Sequence, residues 1–244
     1  MGKRSYHHGQ LRGALLDAAE DLVRERGTDG WSLREVSARV GVSPSAAYHH
    51  FSSRDALVHA LSARVLTRLG ARMSDAAAQA AGPGTDPQQT LVAAGRAYVR
   101  WAVDDPAVAR LAFGSGAHHP DDAGPSPHPH DVLDAELDRL AEAGALAADA
   151  RPGAEFAVWS AMHGLATLLA DGLVTVDDPG AADLQTERLL RAVLTGLAGE
   201  TPPAQGWPTP RSAHTERRTA ALRNTTPAEG PTPGRARQRR EGTP

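Results

Sequence analysis

The chain has 244 residues and no cysteine, and 41% of its residues are hydrophobic but only 4% are aromatic. The missing cysteines exclude disulfides, thiolate metal sites and cysteine nucleophiles, and no uninterrupted apolar run approaches the ~20 residues that span a bilayer. The net charge of −3 is unevenly distributed: residues 1–72 carry 11 basic and 7 acidic side chains, residues 73–199 carry 7 and 18, and residues 200–244 carry 8 and 4. Basic ends on an acidic body indicate nucleic-acid contact at the ends. Without a signal peptide or a membrane span, we expect a soluble, cytoplasmic protein.

The first predicted element is a helix over residues 9–27. Its apolar residues recur at spacings of four, three and four and form one stripe, at Leu11, Leu15, Ala18 and Leu22. Gly27 is placed to end the helix, because glycine readily adopts the left-handed backbone conformation found at helix C-termini.

The segment SLRE at residues 32–35 predicts the start of a second helix. In this capping box the Ser32 hydroxyl accepts a hydrogen bond from the backbone N–H of Glu35, and the Glu35 carboxylate accepts one from the N–H of Ser32. We expect a short helix over residues 33–39, followed by a tight turn at Gly41.

A third helix is predicted over residues 44–50. Ser43 can cap it, and Pro44 stands at the first helical position, where a missing N–H costs nothing. Helix, short turn and helix together predict a helix-turn-helix, whose second helix enters the major groove of DNA while the first braces it. Four small or branched residues can hold the angle between the two helices, namely Val36, Val40, Val42 and Ala47.

Helices also account for the rest of the folded chain. Ser53 caps a long one, and the predicted helices cover about residues 54–80, 86–104, 106–113, 131–145, 153–173 and 182–199. No stretch alternates with the period of a strand, and residues 114–130 form a loop. We therefore predict an all-α fold. It has an N-terminal three-helix helix-turn-helix domain (1–52), a C-terminal helical ligand-binding and dimerisation domain (53–199) and a disordered, basic, proline-rich tail (200–244).

The predicted DNA contacts lie on the third helix and beside it. Tyr48 and His50 can donate hydrogen bonds to phosphates, and His49 can stack on or hydrogen-bond to a base edge. Phe51 is assigned to the core; in the alternative interpretation Tyr48 is a core aromatic as well. The full set of predicted contacts is Arg34, Ser43, Pro44, Ser45, Ala46, Tyr48, His49, His50 and Arg54. His7 and His8 either reach phosphates or belong to a frayed terminus.

Residues 9–58 resemble the DNA-binding domain of TetR-family (tetracycline-repressor-like) regulators. The matching pieces are the amphipathic first helix, the run SLREVSARVGVSPSAAYHHF and the SSRDAL that follows it. The resemblance implies that the third helix reads an operator half-site, chiefly through Tyr48, His49 and His50.

The two last predicted helices form the natural dimer pair. Helix 153–173 is apolar on two faces, so one face can serve the core and the other a partner subunit. A four-helix bundle built from two chains would give a two-fold dimer, which matches a palindromic operator. The stretch VWSAMHGLATLLADGL resembles the C-terminal domain that some TetR-type regulators carry, named for a Trp–His–Gly motif, and YVRWAVDDPAVARLAFG resembles its earlier segment. That resemblance implies dimerisation and binding of a small effector.

The candidate ligand-binding residues come from these two segments and are Trp101, Phe113, Trp159, Met162 and His163. All five can equally be core residues, since a lone histidine on an apolar face is often a hydrogen-bonded core residue. Gly164, inside a predicted helix, indicates close helix packing.

Other chemistries are disfavoured. The histidines of the loop HHPDDAGPSPHPH (His118, His119, His128 and His130) could bind Zn²⁺ or Ni²⁺, but the loop offers no rigid scaffold, so we predict no metal and no cofactor. No phosphate loop, nucleophile elbow or HExxH occurs, which argues against an enzyme. The arginines of the tail either attract phosphate non-specifically or solubilise a disordered segment.

We therefore predict a homodimeric transcriptional regulator, a repressor released from a palindromic operator on double-stranded DNA by a small-molecule effector. The alternatives are a regulator that activates or acts without a ligand, and a helical interaction protein that does not bind DNA.

Overall fold

The computed structural model describes residues 8–114, 127–176 and 178–199. Within these ranges the regular secondary structure is entirely helical, which confirms the predicted all-α fold. The helices are α1 (His8–Arg26), α2 (Leu33–Val40), α3 (Pro44–Tyr48), α4 (Arg54–Ala80), α5 (Gln89–Asp104), α6 (Pro106–Phe113), α7 (Pro129–Glu142), α8 (Ala154–Ala170) and α9 (Pro179–Ala198). The predicted disordered tail and the N-terminal His7 lie outside the described residues, and nothing is described of the His8 side chain.

The predicted helix ends are confirmed near the N-terminus. Gly27 and Gly41 follow α1 and α2 with φ angles of 80° and 78°, in the left-handed region that favours glycine. The Ser32–Glu35 capping box forms, with the backbone N–H of Ser32 donating to the Glu35 carboxylate at 2.8 Å. These ends depend on local hydrogen bonds, so the sequence specifies them directly.

Several helix ends differ from the prediction by two or three residues. Helix α5 begins at Gln89 rather than at residue 86, α7 and α8 end at Glu142 and Ala170 rather than at residues 145 and 173, and α9 begins at Pro179 rather than at residue 182. Helix α3 ends at Tyr48, so His49 and His50 lie in the turn that follows it. Helix α7 begins at Pro129 rather than at residue 131, because His128 caps it in a box with Asp131. A histidine at the capping position is uncommon, since serine, threonine, aspartate and asparagine are preferred there.

Two hydrophobic cores build the protomer. The first joins α1, α2 and α3 to the first half of α4 and to α6. The second joins the rest of α4 to α5, α7, α8 and α9. Helix α4 passes from one core to the other between Leu66 and Leu69. The predicted boundary at residue 53 therefore marks where α4 begins, whereas the packing changes about four turns further along that helix.

None of the described helices combines the length and the apolar character needed to cross a membrane.

Candidate nucleic-acid interface

The α2–α3 unit is held by small and branched side chains on its inner side. Val36 and Ala47 are fully buried, and Val40 and Val42 are partly buried against the same core. Gly41, in the left-handed backbone conformation, ends α2 and turns the chain toward α3. The arrangement matches the predicted helix-turn-helix, with its inner residues placed as expected.

The outer side of α3 faces solvent. Tyr48 is 47% exposed, whereas Phe51, three residues later, is only 3% exposed. The alternative that both rings belong to the core is therefore wrong for Tyr48. Ser45 and His49 are also exposed, and Ala46 is half-buried.

The start of α3 exposes two further predicted contacts. Ser43 and Pro44 are both exposed. The Ser43 hydroxyl already accepts a hydrogen bond from the backbone N–H of Ala46 at 3.2 Å. Its oxygen therefore serves the helix end, and its role at DNA stays a prediction.

Arg54 has a different environment from the one expected for a phosphate contact. Its guanidinium donates to the backbone carbonyls of Trp31 and Thr28 and lies 4.5 Å from the centre of the Trp31 ring. These contacts fix the loop between α1 and α2 against the start of α4. Arg34, by contrast, is exposed at the start of α2 and makes none of the ion pairs described. Of the two predicted arginines, Arg34 is the more exposed, and a DNA contact of either one stays a prediction.

Five of the aromatic rings in the body meet where α5, α6 and α8 pack together: Tyr98, Trp101, Phe113, Trp159 and His163. At the centre, the Tyr98 hydroxyl lies 2.7 Å from Nδ1 of His163. We call these five residues the aromatic cluster. Four of them were predicted as candidate ligand-binding residues, and the fold brings them together.

Met162, the fifth predicted ligand residue, is fully buried in the second core. Two residues that were not predicted as ligand-binding residues contact the cluster instead. Tyr98 occupies the middle of the cluster, and the His130 ring lies 4.0 Å from that of Trp159. The spacing of three between Tyr98 and Trp101 was a usable signal, because it places both on one face of α5.

Burial changes the acid–base behaviour of the central pair. It lowers the pKa of His163 below its ordinary value of 6.5 and raises the pKa of Tyr98 well above its usual range. Both side chains are therefore neutral at pH 7. The pair can offer hydrogen bonds but no charge to a bound molecule.

The lowered pKa of His163 predicts a pH-dependent stability. As the pH falls through 6.5, His163 takes up a proton in the unfolded chain before it does so in the folded one. The contribution of His163 to the free energy of unfolding is therefore fully present above that pH and is lost as the pH falls below it. We expect His163→Asn to lose less stability than the wild type between about pH 7.5 and about pH 5.5, measured by urea denaturation. The exposed His49→Asn variant serves as the control and should keep the wild-type dependence. Equal losses in the wild type and His163→Asn would contradict the prediction.

A separate cavity of about 380 Å³ lies between α4, the start of α5 and α7. Alanines of α4 and α7 form much of its wall, and Thr90, Glu136 and Arg139 form a hydrogen-bonded polar group at its edge. Its volume falls in the range of small-molecule pockets, but it is open to solvent rather than enclosed. The cavity does not include the predicted ligand residues.

The histidine-rich loop is only partly described. His118 and His119 lie outside the described residues, His128 caps α7, and the ring of His130 packs on Trp159. Among the described residues, no three histidine, aspartate or glutamate side chains are grouped to hold a metal ion.

Comparisons with known proteins agree with this architecture. Residues 15–61 match the family described as bacterial regulatory proteins, tetR family, and residues 91–194 match a tetracyclin repressor-like C-terminal domain. Together the two matches cover the helix-turn-helix and most of the helical body. The class is thus that of helical bacterial regulatory proteins, and the chain belongs to the TetR family.

Individual relatives are more distant. The HTH-type transcriptional regulator YobS of Bacillus subtilis is 28% identical over 98 residues, which are 40% of this chain and 49% of YobS. An HTH-type transcriptional repressor of Mycobacterium tuberculosis is 37% identical over 65 residues, which are 27% of this chain and 32% of the repressor. The matched segments thus span half or less of these curated relatives.

Solved structures match over more of the chain. A protein of unknown function from a Rhodococcus species is similar with a TM-score of 0.58 and 28% identity, over 79% of this chain and all of that one. The TetR family regulator PfmR from Thermus thermophilus has a TM-score of 0.51 and 21% identity, over 74% of this chain and 97% of that one. At these identities the second likeness concerns the fold alone.

Proposed function

We propose that this protein is a sequence-specific DNA-binding regulator of transcription. The observation that carries the proposal is the outer face of α3, where Tyr48 is held in solvent by a capped, well-packed helix-turn-helix. Because the Tyr48 ring is not buried in the core, it is positioned to contact a phosphate or a base edge. The curated relatives named as transcriptional regulators support the same function.

Selection of bound duplexes from random DNA tests this proposal. We expect one palindromic motif to be enriched and to bind with a dissociation constant near 10⁻⁸ M or tighter at ~100 mM salt. Failure to enrich any motif, with the protein folded, would argue for the interaction-protein alternative. Enrichment of a single, unrepeated half-site would argue against recognition of the operator by a symmetric dimer.

Recognition of a palindromic operator requires a two-fold symmetric dimer, and members of the TetR family act as dimers. We assign the interface of this chain to the outer faces of α8 and α9. Phe156, Ser160, Gly164 and Leu168 follow one another at a spacing of four along α8, and Leu168 is 42% exposed. Leu184 on α9 is 61% exposed. The exposed apolar side chains on this face of α8, Phe156 and Leu168, together with Leu184 indicate a surface that a second helix pair covers.

Gly164 gives this interface a specific test. Beyond the nearby backbone of α8 itself, a Cβ atom added there would meet no atom of the described residues within 4 Å. The close packing predicted for Gly164 therefore has no partner in the described part of the subunit and is available to a second subunit. Gly164→Leu should leave the protomer folded, since leucine favours helix over glycine by roughly 0.5–1 kcal/mol, but it should weaken the dimer about tenfold or more, an effect of at least ~1.4 kcal/mol.

Sedimentation at several protein concentrations measures this effect. Gly13→Leu is the matched control, because Gly13 is also helical and also faces open space. An unchanged dimer dissociation constant for Gly164→Leu would place the interface elsewhere.

We further propose that the regulator is a repressor whose operator binding is weakened by a small effector held in the helical body. Among the residues that the structure describes, the aromatic cluster and the α4–α7 cavity are two regions that could hold one. Such a ligand must bind the DNA-incompetent arrangement of the dimer more tightly than the competent one. Titrating candidate compounds into a preformed operator complex tests this, with release of DNA expected and unchanged binding across a broad compound set counting against ligand control.

A further inference from the structure

Glu20 is the one buried acidic residue of the first core among the residues described. It lies on α1, is 3% exposed, and faces the junction of α1 with α4. A carboxylate removed from water is costly unless charged partners compensate it. The side chains around Glu20 show how the fold compensates the cost of burying this carboxylate.

Three arginines hold this carboxylate. Arg24, one turn further along α1, donates to Glu20 at 2.5 Å, and Arg64 and Arg68 on α4 donate at 2.9 and 2.7 Å. Burial would raise the pKa of Glu20, but the hydrogen bond and charge of Arg68, with the charges of Arg24 and Arg64, hold that pKa below its ordinary value. Glu20 is therefore ionised at neutral pH.

Two of these arginines extend the network to neighbouring helices. Arg64 also donates to Asp17 of α1 at 2.6 Å. Arg24 also donates to Asp105, which stands at the start of α6, at 2.8 Å. Helix α1 is thus tied by charged hydrogen bonds both to α4 and to the start of α6. We call Glu20, Arg24, Arg64 and Arg68 the Glu20 network.

Directional bonds of this kind specify an arrangement more than they stabilise it. A buried ion pair is often no more stabilising than well-packed apolar residues, but it requires defined geometry. A shift of α4 along α1 would break several charged hydrogen bonds together, in addition to disturbing the apolar packing between the two helices. Because α4 continues past Leu69 into the second core, the crossing of α1 and α4 determines how the helix-turn-helix is oriented on the body.

We propose that Glu20 is a positioning residue for DNA recognition, and that its network sets the separation of the two operator half-sites that the dimer accepts. The inference rests on the proposed DNA-binding function. Neither Glu20 nor its arginines need to contact DNA. Each base pair inserted between the half-sites moves them apart by about 3.4 Å and rotates them around the duplex, so a rigid dimer discriminates strongly between spacings.

The test compares Glu20→Gln with the wild type on a series of operators whose half-sites are moved apart in steps of one base pair. We expect the preference of the wild type for its best spacing over the next one to fall about tenfold in the variant, which is ~1.4 kcal/mol. Base preference within a half-site should stay the same, because α3 is untouched. A uniform loss of affinity at every spacing would overturn the proposal, since it would show a purely structural role.

Glu25→Gln is the matched control. Glu25 lies on the same helix but is exposed, and it pairs with Arg39 of α2 within the DNA-binding part. It should keep the spacing preference of the wild type. A flattened preference in Glu25→Gln as well would also count against the Glu20 network.

Arg68→Gln covers the case in which Glu20→Gln does not fold. Arg68 is half-exposed and its loss leaves Arg24 and Arg64 on Glu20. It should flatten the spacing preference, whereas the neighbouring Arg72→Gln, which pairs with Asp104 instead, should not. Identical spacing profiles for both variants would overturn the proposal. If the wild type itself selects no operator, the proposed DNA-binding function fails, and that result is distinct from all of these.

Discussion

Tyr48→Ala is expected to weaken operator binding by about ten- to a hundredfold while leaving the folding transition unchanged, because a good base or phosphate contact contributes about 1–3 kcal/mol. The ring is 47% exposed, so its removal creates no cavity. Fluorescence anisotropy on the selected operator measures the loss, and thermal unfolding measures stability.

Phe51→Ala provides the contrasting case. Phe51 is 3% exposed in the first core, and Arg12 of α1 lies 5.1 Å from the centre of its ring. Truncating a buried phenylalanine costs about 3–5 kcal/mol, so this variant should unfold at a markedly lower temperature. A collapsed transition for Tyr48→Ala as well would show that Tyr48 is structural and would remove the basis of the proposed interface.

Tyr98→Ala is expected to cost about 3–5 kcal/mol of folding stability, the range for truncating a large buried aromatic residue. Tyr98 is fully buried at the centre of the aromatic cluster, with ring centres at 5.4 Å to Trp159 and 6.0 Å to Phe113. Its loss would leave a cavity among rings that belong to three helices. Urea denaturation measures the change.

Tyr98→Phe separates packing from hydrogen bonding. It keeps the ring but removes the hydroxyl that lies 2.7 Å from Nδ1 of His163, and a buried polar atom left without its partner costs about 1–3 kcal/mol. Tyr48→Phe is the matched control and should leave stability unchanged, since Tyr48 is 47% exposed. If Tyr98→Phe is as stable as the wild type, the Tyr98–His163 contact does not contribute to the fold.

The sequence predicts best what local hydrogen bonds decide. The Ser32–Glu35 box, the glycine ends of α1 and α2, and the bounds of α4 all depend on residues within one turn of each other. Their patterns are therefore visible without tertiary information. The end of α3 is less certain from sequence, because Tyr48, His49 and His50 have similar helical propensities and tertiary packing decides where the helix stops.

Contacts between distant segments were harder to predict. Tyr98 and His163 are 65 positions apart, and periodicity places each on a face without showing which faces meet. Glu20 has the same difficulty, because a glutamate among charged neighbours on α1 is typical of a solvated surface. Only the fold shows that Arg64 and Arg68 of α4 converge on it.

Arg54 illustrates how the same chemistry can serve two purposes. A basic residue beside a recognition helix favours a phosphate contact, but the same guanidinium can bind carbonyls and an aromatic face. The structure places it on Trp31 and on the loop carbonyls. Its contact with DNA stays a prediction, and Arg34 has the more open position.

The passage of α4 from one core to the other between Leu66 and Leu69 has a practical consequence for building chimeric regulators. A DNA-binding domain that ends at the start of α4 would lack the α4 residues of the first core, which are Leu57, Leu61, Val65 and Leu66. It would also lack the apolar residues that α6 contributes to that core. Such a graft should express as an unfolded or aggregating product. A transferable DNA-binding domain must include the first four turns of α4 and a substitute for α6. Exchanging DNA specificity between relatives therefore requires a junction inside a helix rather than in a loop.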